Sequence, residues 1–146
     1  MATLHLQIVT AERKLLDGEA DMVIAPGGAG ELGILPHHIP IITTLKPGEL
    51  RVLQHDEEVP FAVAGGFMEV RNSAEGSEVI VLADAAERAE DIDLERAQAA
   101  RQRAEQARAQ SQSEIDAVAA ETALLRALVR IRVAERYHRT RTTARR

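Results

Sequence analysis

The sequence predicts a two-part chain of β + α class, an antiparallel β-sandwich or barrel followed by an antiparallel helical hairpin, and three observations carry that expectation. Short apolar segments, several of them alternating, recur up to about Asp84 with Gly, Pro and Asn between them, which is the pattern of small antiparallel strands. From Asp84 to Arg136 there is no Gly or Pro, and Ala, Glu, Gln and Arg dominate, all good helix formers. Charge divides at the same place: up to Glu87 there are 5 basic and 14 acidic residues, and from Arg88 onward 13 basic and 9 acidic. Two units with different partners follow from that split.

The elements can be taken in order. Leu4, Leu6 and Ile8 alternate with His5, Gln7 and Val9 as a half-buried strand does. Lys14-Leu15-Leu16 and Met22-Val23-Ile24-Ala25 flank Asp17-Gly18, a dipeptide that readily takes the positive-φ turn of a hairpin. Further strands are expected at Ile39–Leu45, Glu49–Leu53, Val59–Ala64, Phe67–Val70 and Val79–Ala83. In the second part Ala97, Ala100, Ala104 and Ala107 form a stripe of small residues on a first helix, and Ile115, Val118, Leu125 and Leu128 an apolar stripe on a second. Gln110-Ser111-Gln112-Ser113 interrupts the pattern, with Ser113 and Asp116 spaced like a capping box. So short a connection makes the helices antiparallel neighbours. An alanine seam forgoes roughly three carbons per position relative to leucine, about 2 kcal/mol each at 0.8 kcal/mol per methylene, so the hairpin is expected to be weakly held. The domains are expected at 1–86 and 87–136, with 137–146 a flexible basic tail.

Composition closes off several functions. Zero Cys excludes disulfides, thiolate metal sites and a cysteine nucleophile. Aromatics at 2% favour a core of Val, Ile, Leu and Ala over a deep ligand cavity. The longest apolar stretch, residues 33–45, contains Pro and His and is too short for a membrane span, and residues 1–10 do not read as a secretory signal. A cytosolic chain without direct membrane insertion, at most bound to a membrane complex, is the expectation.

Gly28-Ala29-Gly30-Glu31-Leu32-Gly33 matches the dinucleotide fingerprint in letters, but Pro36 and Pro40 stand where its helix should run, and a tight loop joining two strands suits it better. His5, His37, His38 and His55 have no accompanying carboxylate spacing, and adjacent His37 and His38 point apart on extended backbone, so no metal site is expected. Catalytic motifs are absent. The helical arginines are more informative. Arg96 and Arg103 lie seven apart on one face of the first helix, and Arg126 and Arg130 four apart on the second. If the hairpin aligns them, four guanidinium forks converge on a polyphosphate; a solvated basic face or one docking on an acidic partner fits the spacing equally. Nucleic acid is disfavoured, because stacking aromatics and a basic first domain are both missing.

Several segments together resemble the epsilon subunits of bacterial F-type ATP synthases: Gly30-Glu31-Leu32-Gly33-Ile34-Leu35-Pro36 with His38 and Pro40, Leu45-Lys46-Pro47-Gly48-Glu49-Leu50, Phe61-Ala62-Val63 with Gly65-Gly66-Phe67-Met68-Glu69-Val70, and Leu82-Ala83-Asp84-Ala85-Ala86-Glu87. They occur in that family's order; His37 and Ala64 depart from its common residues. The resemblance implies a flattened β-sandwich docking on the gamma subunit and the c-ring, and a hairpin able to rise toward the catalytic alpha and beta subunits and restrain ATP hydrolysis. It also implies a non-catalytic chain with no required cofactor, peripheral on the cytoplasmic face of the plasma membrane. Some members bind ATP through a motif of the form Ile/Leu-Asp-x-x-Arg-Ala, matched here by Ile92-Asp93-Leu94-Glu95-Arg96-Ala97. Carried over by position, the regulatory ATP site is Glu87, Ile92, Asp93, Arg96, Ala97, Arg103, Arg126, Ala127 and Arg130.

Overall fold

A computed structural model describes residues 2–145. The chain divides into two units, residues 1–88 and 89–146. The first unit opens with β1 (Leu4–Val9), whose Leu4, Leu6 and Ile8 are fully buried while the intervening residues are only half-buried. The chain then reverses through residues 10–13, where the Thr10 amide donates to the Arg13 carbonyl at 2.9 Å. It returns as β2 (Lys14–Ala20), setting Leu16, Gly18 and Ala20 opposite Ile8, Leu6 and Leu4.

Asp17-Gly18 is therefore not a turn but the middle of a strand. Three successive core-facing positions on β1 need partners, and that cross-strand requirement overrides the local turn preference of the dipeptide.

Beyond Asp21 follow β3 (Met22–Gly27), β4 (Gly30–Ile34), β5 (Ile41–Leu45), β6 (Gly48–Gln54), β7 (Glu57–Val63), β8 (Gly66–Ser73), β9 (Gly76–Ala83) and the short β10 (Ala86–Arg88). Their ladder runs β10-β7-β6-β3-β5-β8-β9-β1-β2, with β4 paired to β3. All these pairings are antiparallel except β1 with β9, which is parallel and joins the two ends of the chain segment. The end strand β2 comes back toward β6, where the Asp21 amide donates to the Leu53 carbonyl at 2.8 Å, so the sheet folds over its own core. That core is aliphatic with one ring: Phe61 is fully buried, and the Arg88 guanidinium lies 5.3 Å from its centroid. Because β10 pairs with β7, the first unit extends two residues past the boundary expected from sequence.

The second unit begins with a 3₁₀ turn (Ala89–Asp91), followed by α1 (Leu94–Ala109) and α2 (Glu114–Ala144). Both starts are capped. Asp93 Oδ1 accepts from the Arg96 amide at 3.1 Å, and Ser113 Oγ from the Asp116 amide at 3.1 Å, each satisfying one orphan donor of the first turn. Gln110 caps α1, its amide donating to the Gln106 carbonyl at 3.0 Å.

The seam differs from expectation on the second helix. Ala97 and Ala104 of α1 are buried; on α2 Ala120, Ala127, Ile131 and Ala134 are buried along one face, and Val129 and Val133 are buried on another. Ile115, Val118 and Leu125 are 81%, 58% and 46% exposed. A helix whose buried positions are alanines is approached most closely by another small face, so the alanines of α2 serve the seam while Ile115, Val118 and Leu125 turn outward.

The residues from Tyr137, expected as a flexible tail, continue α2 to Ala144, with Arg146 outside the described residues. In this last stretch the Thr140, Thr142 and Thr143 hydroxyls turn back onto the carbonyls four residues earlier, and Arg141 Nη1 donates to the Tyr137 hydroxyl at 2.6 Å, a side-chain pair at the spacing that supports a helix. Among the described residues no helix is long and apolar enough to cross a membrane.

Candidate functional site

The segment Ile92-Asp93-Leu94-Glu95-Arg96-Ala97 starts the hairpin, and half of it has a structural task. Ile92 is buried, its amide donating to the Ala89 carbonyl at 3.3 Å. Asp93 is the cap of α1, and Ala97 is a fully buried member of the seam. Arg96 is exposed, as are Arg103 and Arg126, while Arg130 is half-buried.

The seam fixes the relation between the helices. Taking the buried alanines as facing pairs, Ala97 with Ala127 and Ala104 with Ala120, each pair of numbers has the same sum, as antiparallel neighbours in constant register require. At about 100° per residue, Arg96 and Arg103 stand roughly 100° to one side of the α1 seam, and Arg126 and Arg130 roughly 100° to the same rotational side of the α2 seam. Antiparallel helices related by a two-fold axis bring equal offsets to one side, so all four arginines share a single side of the hairpin. By the same register their order along the axis is Arg130, Arg96, Arg126, Arg103, within about 14 Å at 1.5 Å per residue.

The carboxylates are segregated from them. Glu95 and Glu105 on α1, and Glu114, Glu121 and Glu135 on α2, fall on other faces by the same wheel, and Glu105 pairs there with Arg101 at 3.0 Å. Of the helical carboxylates Asp116 alone stands near the arginine side. On that side, toward the turn, an open groove of about 640 Å³ runs between the helices, floored by Ala104 and Ala120, walled by Ala100, Ala107 and Ala123, and rimmed by Arg103. Asp116 and Gln110 also line it.

The arrangement offers planar guanidinium donors beside an apolar trough, a combination that suits a ligand with a polyanionic end and a flat apolar end. Arg103 is the member of the expected constellation that reaches the groove; Arg96, Arg126 and Arg130 continue the same side toward the open end of the hairpin. Ala127 and Ala97 lie in the seam below them. Glu87 belongs to β10 of the first unit, half-buried and paired with Ala62. Asp116 and the groove alanines were not among the expected residues. The repeat of Ala100 and Ala107 with Ala104 was visible, but which alanines are covered and which open to solvent depends on where the partner helix lies.

Elsewhere, Gly28–Gly33 forms the β3–β4 hairpin, with Gly27 paired to Gly30. His37 takes a left-handed conformation, φ 67°, its amide donating to Ser77 Oγ at 2.6 Å, so it is not on the extended backbone the sequence suggested. Among the described residues no three His, Asp or Glu side chains converge as metal ligands.

Comparison with known proteins places this geometry. Residues 3–89 match the family described as ATP synthase, Delta/Epsilon chain, beta-sandwich domain, and residues 90–135 the corresponding long alpha-helix domain. The chain is 54% identical over 133 residues to the ATP synthase epsilon chain of Desulforamulus reducens, covering 91% of this chain and 98% of that one. It is 50% identical over 132 residues to that of Herpetosiphon aurantiacus, covering 90% and 94%. Among solved structures it is similar in fold to a chain of the Euglena gracilis mitochondrial ATP synthase, OSCP/F1/c-ring in rotational state 1, with TM-score 0.71, 24% identity, and 86% and 77% of the two chains covered.

Proposed function

Because the chain belongs to the ATP synthase delta/epsilon family, we propose that it is the epsilon subunit of a proton-translocating F-type ATP synthase whose helical hairpin senses ATP. It carries out no chemistry of its own. The sandwich docks on the gamma subunit and the c-ring and so joins the rotor of the central stalk, peripheral on the cytoplasmic face of the plasma membrane. The hairpin reaches toward alpha and beta and restrains ATP hydrolysis when raised.

The observation that carries the ligand part is the gathering of Arg96, Arg103, Arg126 and Arg130 on one side of a seam made of alanine. ATP bound there draws its phosphates onto guanidinium groups from both helices and thereby cross-links a pair that buries little surface. Binding to the closed hairpin and not to the open one biases the equilibrium by mass action, by about 2.7 kcal/mol at free ATP one hundred times its dissociation constant. That is comparable to one leucine-sized contact, enough to tip a pair held by alanines. The site proposed is the hairpin's own, Ile92, Asp93, Arg96, Ala97, Arg103, Arg126, Ala127 and Arg130.

A second reading, favoured by the exposure of Arg96, Arg103 and Arg126, is that the arginine side docks on acidic segments of beta in the raised state. The two roles are compatible, since each uses the hairpin in a different conformation.

Calorimetric titration of the whole chain with ATP, ADP and GTP tests the sensing role. The expected result is saturable ATP binding that Arg126→Ala weakens at least tenfold, the cost of one charge-assisted contact of ~1.5–3 kcal/mol. No heat of binding up to millimolar ATP would end the sensing reading and leave the docking one. For restraint of hydrolysis, the assembled complex is assayed with the chain ended at Arg88; unchanged hydrolysis across nucleotide conditions would remove that role.

A further inference from the structure

The outer face of the first unit carries a charged cluster with no place in the reading above. His5 of β1 stands between two carboxylates of the end strand β2: its Nε2 is 2.7 Å from Asp17 Oδ1 and its Nδ1 is 3.1 Å from Glu19 Oε1. Lys14 Nζ holds Asp17 at 2.8 Å, and the Thr3 hydroxyl donates to Glu19 at 2.6 Å. On the other flank β9 sets Glu78 opposite His5, and Glu78 is committed to Arg71 of β8 at 2.9 Å, with Glu69 beside Arg71.

A neutral imidazole has one N–H and can donate to one carboxylate only; its other nitrogen then turns a lone pair on the second. Contacts at hydrogen-bond distance on both nitrogens require the imidazolium. The strand it grips is laddered to β1 through its backbone, and His5 adds side-chain ties at its middle. Gly18 between the two carboxylates contributes no side chain, and a Cβ built there meets nothing within 4 Å. Leu15 and Glu19 carbonyls on the outer edge are tied by Arg88 and Gln54, at 3.2 and 2.7 Å.

We propose that His5 is a proton-operated clasp: charged, it pins the middle of β2 to β1 through Asp17 and Glu19, and on losing its proton it releases one of them, so that the edge of the sheet loosens as the medium turns alkaline. Electrostatics agree in direction. The Glu19 hydrogen bond chiefly raises the His5 pKa above its ordinary 6.5, with Asp17 adding to it and burial opposing; the pKa of Asp17 is lowered chiefly by Lys14 and that of Glu19 chiefly by the Thr3 hydroxyl, with His5 adding to both. A raised histidine contributes stability that is complete below 6.5 and is lost as pH rises through its folded pKa. The depressed carboxylates contribute above their ordinary values of 3.8 and 4.5, so the clasp is closed in mildly acidic solution.

The test is NMR on the labelled full chain from mildly acidic to mildly alkaline pH, following the His5 ring and the hydrogen exchange of β2 amides corrected for the intrinsic pH dependence of exchange. The expected result is titration of His5 above 6.5, with β2 protection falling roughly two- to fivefold across it, the range of an exposed ion pair. In His5→Gln the β2 protection is flat with pH, and β6 and β7 amides are unchanged in both proteins. If His5→Gln does not fold, Glu19→Gln serves, and must shift both the titration and the exchange step to lower pH. A His5 that titrates at or below 6.5, or β2 protection that falls equally in His5→Gln, overturns the clasp.

Discussion

Replacing Gly18 by alanine asks whether Asp17-Gly18 is a turn or a strand. The residue sits in β2 opposite Leu6, half-buried, with no positive φ and no heavy atom within 4 Å of a built Cβ. An added methyl therefore meets open space on the core-facing side. Restricting the unfolded backbone is worth ~0.4–1 kcal/mol where the native conformation suits alanine, and a methyl in open space adds no burial to it. The substitution therefore stabilises the first unit by at most about 1 kcal/mol, which for a unit of this size raises its Tm by up to ~4–8 °C. Thermal unfolding of the full chain, followed by circular dichroism in the β-sheet band, reads the change. A turn with positive φ would give the opposite sign, so a lower Tm for Gly18→Ala would refute the strand assignment and the packing drawn from it.

Gly66 provides the contrasting case: its φ is +125°, and a Cβ there would run into the Leu82 carbonyl oxygen, so Gly66→Ala should cost ~2 kcal/mol or more in urea unfolding. Phe61→Ala removes the buried ring of the core and the surface under the Arg88 guanidinium, with an expected loss of ~3–5 kcal/mol in the same assay; a loss under 1 kcal/mol would show that the core does not depend on it. Asp93→Ala should lower hairpin stability by ~1 kcal/mol through loss of the cap, whereas Asp93→Asn keeps it, since asparagine caps as well; equal losses by helical circular dichroism would refute the capping role. Toward acid, the hydrogen bonds that hold Glu78, Asp17 and Glu19 below their ordinary pKa values are lost as pH falls through the depressed values. The urea midpoint should therefore decline there, and Arg71→Ala should remove the Glu78 part of that decline.

Local features were legible where the decisive interaction is itself local. Alternation of Leu4, Leu6 and Ile8 marks β1 because burial of one strand face writes a two-residue period. Ser113 marks the start of α2 because a cap bonds an amide three residues on. Asp17-Gly18 misled because a good local turn lost to three core pairings whose partners lie on another strand. The tail misled in the other direction: threonine and arginine without an apolar period read as disorder, yet α2 runs on to Ala144, with Arg141 paired to Tyr137 one turn back.

The candidate site divides in the same way. Which arginines share a helix face follows from numbering alone, and so does the motif that begins the hairpin. That the faces of α1 and α2 come to one side depends on the register between Ala97 and Ala127, a relation between residues thirty positions apart. The outward turn of Ile115, Val118 and Leu125 likewise reflects what α1 presents, which no property of α2 encodes.

By itself the sequence determined the two-part class, the switch near Asp84, the capped start of α2 and the four arginines, because period, capping and charge act over a few residues. Tertiary structure alone decided that β1 pairs parallel with β9, that Gly18 lies within a strand, that alanine meets alanine across the hairpin and that His5 stands between two carboxylates. Each of those depends on which distant segment supplies the opposing surface, and packing, unlike period, is settled only when both surfaces are present.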